Sequence, residues 1–403
     1  MIQFNQLSLQ TFLTEYWQKK PVVLRQALLL DKLPLTADEL AGLALDENME
    51  SRLITQNPDP TIDQSSKWHL STGPFIESTF EDLPETHWTL LVQGVDRVVP
   101  EVMLLLNQFD FIPQWRADDV MISYATEHGG VGPHFDHYDV FLYQATGTRE
   151  WSLTTKNCCV ENHIAGIDLR IMAEFETEET YALQPGDILY VPPYVGHHGV
   201  STSKECMTYS FGYRGYSAAE LWESFGDFLS EKNLATESYK DPNWLTLIEP
   251  AEIPDSAWRE AQRKLLDLIQ DDQRMAAWFG CFVTRLDASA EQHMPVAIEE
   301  QDDPGRAWLM AQLRQGTDLG RDGTCRIARL SGSNELFING NLWPCNACTP
   351  ELVQYLANHR ELKSIQLSKY LDQEADQELI YTLWKQQWLW LIPVTVDNLD
   401  RYS

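Results

Sequence analysis

Apolar and polar residues follow two different periods along this chain, and the changes of period divide it. Across residues 9–17 apolar positions recur at helical spacing. Pro21 stops that helix and favours the extended run Val22-Val23-Leu24 after it. Residues 36–45 predict a second helix, with Thr36 able to cap it and Asp38 and Glu39 placing negative charge in the first turn, where the helix dipole favours it. Residues 88–93 read as a strand and residues 99–106 as a helix.

From Asp118 to Tyr213 the helical period gives way to short β-rich runs at 120–124, 140–144, 150–153, 188–191 and 207–211, punctuated by Gly, Pro and Asp. Gln184-Pro185-Gly186-Asp187 is a turn, because Pro fixes φ at one central position and Gly accepts positive φ at the next. Strands this short and this closely spaced predict an antiparallel sandwich, jelly roll or barrel. Helical spacing returns at 217–231, where Leu221, Phe225 and Phe228 share a face that is either core or a dimer seam, and it continues through 258–284. A polar, acidic interval at 288–304 reads as a linker. Beyond it, helices at 307–315 and 349–359, strands at 326–330 and 336–339, and the tight-turn dipeptide Asn339-Gly340 predict a small winged-helix-like unit. The expected class is α+β, with a catalytic domain over 1–215, a helical region over 216–290 and a C-terminal domain over 305–403.

Composition narrows what such a chain can do. Hydrophobic residues make up 43% and Trp numbers 14, enough apolar surface for packed cores rather than a disordered chain. No apolar run approaches the ~20 residues that cross a bilayer, and the opening Met1-Ile-Gln-Phe-Asn-Gln lacks the pattern of a signal peptide. Seven Cys, an odd number, argue against a disulfide framework, so a cytoplasmic protein is expected. The 60 acidic and 30 basic residues give a net charge of −30, which repels nucleic-acid phosphates and most membrane surfaces and attracts a basic macromolecule.

The candidate chemistry lies in Gly132-Pro133-His134-Phe135-Asp136-His137-Tyr138-Asp139 and, further on, Pro192-Pro193-Tyr194-Val195-Gly196-His197-His198. Residues two apart on an extended strand project to one face, so His134 and Asp136 can share a metal ion. A second His from another strand completes two His and one carboxylate, the set typical of non-haem iron(II) oxygenases. Strand periodicity does not choose between His197 and His198, because Pro192-Pro193 and Gly196 interrupt the run where its phase would be read. Oxygen activation also needs electrons, which oxidative decarboxylation of 2-oxoglutarate supplies. Arg149, fifteen residues after His134, could clamp the distal carboxylate of that cosubstrate, or it could be a surface Arg paired with Glu150.

The run from His134 to Phe141, Gly147-Thr148-Arg149-Glu150-Trp151, and Pro185-Gly-Asp-Ile-Leu-Tyr-Val-Pro-Pro193 together resemble the JmjC-type ribosomal oxygenases, and most of all their bacterial arginine hydroxylases. Phe12-Leu-Thr-Glu-Tyr-Trp-Gln-Lys-Lys-Pro21 resembles that family's opening segment. The resemblance implies a double-stranded β-helix (jelly-roll, cupin-like JmjC) core, a helical dimerisation region and a C-terminal winged helix. It implies iron(II) at His134, Asp136 and His197, 2-oxoglutarate at Arg149 with Ser123 beside it, and hydroxylation of an arginine in a basic large-subunit ribosomal protein by a homodimer. Tyr138 and Asp139, next to the metal motif, are then expected to receive the cationic side chain by stacking and charge pairing. Thr126-Glu127-His128-Gly129 departs from the family's Gly-rich approach, and His198 stands where the bacterial relatives carry an acid.

Three rivals follow from the same residues: this chemistry on another residue such as His or Asn, removal of an N-methyl group, or a cupin that binds metal without turnover. Arg149 separates the last, since a cupin without turnover has no use for a buried carboxylate clamp. Cys345 and Cys348 have zinc or redox spacing, but no second Cys pair or nearby His completes a site. His128 and His137 are expected at the entrance rather than on the metal.

Overall fold

A computed structural model describes the chain apart from residues 1, 6, 60, 243–248, 250 and 394–403. The expected helical region therefore contains a stretch, 243–248, outside the described residues, and so does the end of the C-terminal domain.

The β-rich centre folds into two antiparallel sheets whose inner faces pack together, the jelly roll that the spacing of its strands predicts. Its strands are β1 (Val22–Leu24), β2 (Ser51–Gln56), β3 (Trp68–Thr72), β4 (Trp88–Val92), β5 (Ala117–Ala125), β6 (Asp139–Thr146), β7 (Arg149–Thr154), β8 (Glu179–Leu183), β9 (Ile188–Val191), β10 (Gly196–Ser201) and β11 (Cys206–Tyr213). The larger sheet runs β1-β9-β6-β11-β5-β4-β2-β3, and the smaller runs β10-β7-β8. Alternation on β6 assigns its two faces. Val140 and Leu142 turn inward to meet Trp151 and Leu153 of β7, whereas Phe141 and Tyr143 join a second core on the outer face. That outer core is built with the N-terminal segment: the Phe12 ring lies 5.1 Å from Tyr190, and Trp17 stacks on Tyr190 at 5.6 Å. Phe141 is fully buried there, so truncating it to Ala costs about 3–5 kcal/mol.

The second helix of the sequence reading forms as Ala37–Leu43, with Thr36 and Glu39 capping each other reciprocally. Strands β2, β3 and β8 escaped the sequence reading, and β10, expected only as the strand of the second His, was without bounds. β8 is an exposed edge with one buried position, and β10 (Gly-His-His-Gly-Val-Ser) is poor in β-formers. The helical stretch at 258–284 is two helices, Asp255–Ile269 and Asp272–Thr284, and Asp271 caps the second by accepting from the Arg274 N–H at 3.0 Å. Phe225 and Phe228 of helix Ala218–Glu231 pack with Trp278 of that second helix.

The interval 288–304 is not a free linker. Ala290 is buried in a short helix, the Ile298 N–H donates to the Lys385 carbonyl at 2.8 Å, and Asp303 pairs with Lys385 at 3.0 Å. The ion pair of Asp303 is not local, because Lys385 lies about eighty residues away. The C-terminal domain carries helices Arg306–Arg314, Pro350–Asn358 and Glu374–Lys385 around two small sheets. It docks on the jelly roll through arginines. Arg326 donates to the Ala117 carbonyl at 2.9 Å and to Asp118, Arg360 donates to Asn107 and Asp110, each at 2.9 Å, and Arg321 to Gln114 at 2.9 Å.

Candidate metal centre and cosubstrate slot

His134 and His197 arrive on different segments and are joined by their own backbones. The His134 N–H donates to the His197 carbonyl at 3.0 Å, and the His197 N–H returns the bond at 2.7 Å. The approach is close because Gly130 lies against β10: a Cβ there would come within 2.6 Å of the Gly199 carbonyl oxygen. The two imidazole rings then sit 4.2 Å apart. Each ring places Nδ1 about one hydrogen bond from the carbonyl two residues back, Gly132 at 3.0 Å and Val195 at 3.1 Å. A proton held on Nδ1 leaves Nε2 as the lone-pair donor, the arrangement that orients metal-binding histidines. His197 Nε2 lies 3.6 Å from Asp136 Oδ2, and ligand atoms of His134, Asp136 and His197 all fall within 4.8 Å of one another. Among the described residues no other group of His, Cys, Asp and Glu is arranged to hold a metal. Burial, with His134 beside it, pushes the His197 imidazole down to about 4, so it stays in the neutral, ligating form.

The neighbouring His198 turns the other way. It packs edge-on to Phe175 at 6.1 Å and lies opposite Ser152 on β7. His128 stands against His87 at 4.9 Å and His137 against Tyr194 at 5.1 Å, both apart from the triad. Cys345 is buried with its thiol pushed up to about 11 by that burial.

A cavity of 180 Å³ between the two sheets takes in the triad together with Ser123, Arg149, Trp151, Thr208 and Tyr138. Arg149 opens β7 and faces inward, 4% exposed, while Glu150 faces out, which removes the surface pairing between them. Its Nε and Nη2 have no hydrogen-bond partner among the described residues. The guanidinium carbon sits 5.7 Å from the Trp151 ring, and that ring occupies the space left by Gly199, where a Cβ would come within 2.7 Å of it. A buried cation without an anion is costly, so this slot suits a carboxylate. Ser123 offers its hydroxyl from β5, where its nearest acceptor, the Thr208 carbonyl, is at 3.5 Å.

Comparison with known proteins agrees with this geometry. The family described as JmjC domain matches residues 104–221, and that described as ROXA-like winged helix matches residues 267–390. The chain is 34% identical over 329 residues to the ribosomal protein uL16 3-hydroxylase of Escherichia coli (strain K12), covering 82% of this chain and 83% of that one. The chain belongs to the JmjC ribosomal oxygenases. A probable ribosomal oxygenase of Haemophilus influenzae is 30% identical over 378 residues, covering 92% of this chain and 90% of that one. The solved structure of the Escherichia coli ribosomal oxygenase YcfD in complex with cobalt and 2-oxoglutarate matches with a TM-score of 0.82 at 30% identity, covering 98% of this chain and 100% of that one.

Within this ribosomal oxygenase fold, one expected substrate residue is misplaced by the sequence reading. Asp139 is fully buried on the outer-core face of β6 and accepts from Tyr190 at 2.6 Å, Gln18 at 3.1 Å and Arg116 at 3.2 Å. Burial holds its carboxyl above the ordinary carboxylate range. It lies outside the cavity because Tyr138 precedes the strand and Asp139 begins it, and the next inward position is Val140. An acid does line the cavity: Asp119, which the sequence reading passed over. It accepts from Gln93 at 2.6 Å and from the Gly94 N–H at 3.0 Å. The signal was present, since stepping back by twos from Ser123 gives Met121 and Asp119 on the same face of β5.

Proposed function

We propose that this chain is an iron(II)- and 2-oxoglutarate-dependent hydroxylase of a basic large-subunit ribosomal protein, and that its target is an arginine side chain. The single observation that carries the reading is the buried, unpartnered Arg149, sharing one cavity with a two-His, one-carboxylate triad. His134, Asp136 and His197 would hold the metal, and Arg149 with Ser123 would receive the distal carboxylate of the cosubstrate. With both bound, decarboxylation of 2-oxoglutarate to succinate supplies the electrons that let one oxygen atom enter an unactivated C–H bond. The hydrophobic walls contributed by Val140, Leu142 and Trp151 exclude water from this slot. Tyr138, 43% exposed at the cavity edge, offers a ring face to a guanidinium, and Asp119 offers negative charge.

The relative of known name supports a ribosomal substrate, being called a uL16 3-hydroxylase. The net charge of −30 favours a basic protein partner over nucleic acid or a membrane surface, and no described helix is long and apolar enough to cross a membrane. A ribosomal substrate favours a cytoplasmic location. Exposed Trp222, Leu265 and Leu266 on helices Ala218–Glu231 and Asp255–Ile269 favour a homodimer formed through this helical region. The test is mass spectrometry of uL16 peptides incubated with the protein, iron(II) and 2-oxoglutarate. One added oxygen on an arginine is expected; addition on a histidine or asparagine would move the target, and no oxygen with no succinate would favour a cupin without turnover.

A further inference from the structure

Two more cavities continue from the metal centre, and their walls make one path. The 180 Å³ cavity shares Asp118 and Tyr138 with a second of 400 Å³, lined also by His137, Tyr216, Glu220 and Phe282. That second cavity shares Ser224, Phe282, Arg285 and Leu286 with a third of 310 Å³, which ends against Trp278, Glu291, Asn339 and Trp388. We propose that the substrate's polypeptide beyond the oxidised residue lies in this trough, running from Tyr138 along helix Ala218–Glu231 to the hairpin turn at Asn339-Gly340 of the C-terminal domain. The proposal rests on the functional reading above and extends it from one side chain to the chain that carries it.

Three features select an extended basic peptide as the occupant. The trough is continuous with the metal cavity through Asp118 and Tyr138, so the neighbours of a residue placed at the metal can run into it. At the far end Asn339 uses Oδ1 to accept from the Arg326 N–H at 2.8 Å, while its Nδ2 is buried without a partner, a donor suited to a peptide carbonyl. The charges along the walls are mostly satisfied internally. Arg214 pairs with Asp118 at 2.7 Å, Arg285 with Glu231 at 3.1 Å, and Asp287 with Arg97 at 2.8 Å. Glu220 and Glu291 remain, exposed and without an ion pair among the described residues, as does Lys232. Two free acids against one free cation leave the wall net negative and favour a chain bearing positive charge. The C-terminal domain then serves as the far wall of the substrate site.

The experiment compares two uL16 peptides centred on the target arginine, one of about five residues and one of about twenty, which at ~3.3 Å per extended residue reaches well past the metal cavity. The full-length protein is assayed with iron(II) and 2-oxoglutarate as wild type, Glu220→Lys, Glu291→Lys, the double variant, and Glu77→Lys, an exposed acid that lines none of the three cavities. Each trough variant is expected to raise KM for the long peptide about twofold to fivefold, the double variant by about their product, with kcat and short-peptide kcat/KM unchanged. Glu77→Lys should change neither. Equal responses of long and short peptides, or an equal response in Glu77→Lys, overturn the trough. Failure of the wild type to hydroxylate either peptide overturns the functional reading itself, and the trough with it.

Discussion

Arg149 and Asp139 are buried charges on consecutive strands, 4% and 0% exposed, and the structure treats them in opposite ways. Asp139 is enclosed by donors from three places in the chain, Gln18, Arg116 and Tyr190. Arg149 faces a cavity with Nε and Nη2 unpartnered. The first pattern is that of a charge built to hold the fold together. The second leaves a desolvation cost that only an incoming anion offsets, and that difference locates function better than sequence proximity to the metal motif does. Asp139 stands three residues from Asp136 and serves the outer core, whereas Arg149 stands further off and shares the metal's cavity.

The comparison can be broken at several points. The largest effect should come from the triad. Asp136→Ala and His197→Ala are each expected to reduce iron-dependent conversion of 2-oxoglutarate to succinate to background while circular dichroism shows a retained fold. His198→Ala, on the opposite side of β10, should keep iron and its succinate production. Iron lost only on changing His198 would show the strand read one residue out of phase.

Arg149→Ala comes next. Losing a charged, bidentate partner costs on the order of 2–4 kcal/mol, so the 2-oxoglutarate requirement should rise at least ~30-fold. Unchanged cosubstrate dependence would refute the clamp. Asp139→Ala should show the converse signature, lowering stability by about 1–3 kcal/mol through stranded donors, with the 2-oxoglutarate requirement little altered. Denaturant unfolding and a cosubstrate titration on the same preparation separate the two.

Asp96 sharpens the comparison from the side of the acids. It is buried and accepts from the Val120 N–H at 2.7 Å, and burial together with Asp119 nearby pushes its carboxyl up to about 7. An acid whose folded pKa is raised binds a proton that the unfolded chain has already released, so stability falls as pH climbs from its ordinary range towards 7. Asp96→Asn should flatten that part of the stability curve while leaving the 2-oxoglutarate requirement unmoved; an unaltered slope would assign the pH dependence elsewhere.

How much of this was legible follows from how local each signal is. The jelly roll and the triad could be read because alternation, turn residues and a two-residue ligand spacing are properties of short segments. The choice of His197 over His198 was not local, since Gly196 and two prolines hide the phase; it came from the resemblance, and the backbone bridge to His134 supplies its physical reason. The role given to Asp139 failed because the start of β6 was not fixed, and one residue of phase moves a side chain to the other face. The interval 288–304 has the polar composition of a linker, and what ties it down at Asp303 is not local, since Lys385 and Tyr381 come from a helix far along the chain. Asp119 needed only the phase of β5, already set by Ser123.

The most direct test of the account is calorimetric titration of 2-oxoglutarate, without oxygen, into iron(II)-loaded wild type, Arg149→Ala and Asp139→Ala. Wild type is expected to bind, Arg149→Ala to bind at least ~30-fold more weakly, and whatever fraction of Asp139→Ala remains folded to bind with near-native affinity. Native affinity in Arg149→Ala, or a selective loss in folded Asp139→Ala, would contradict it.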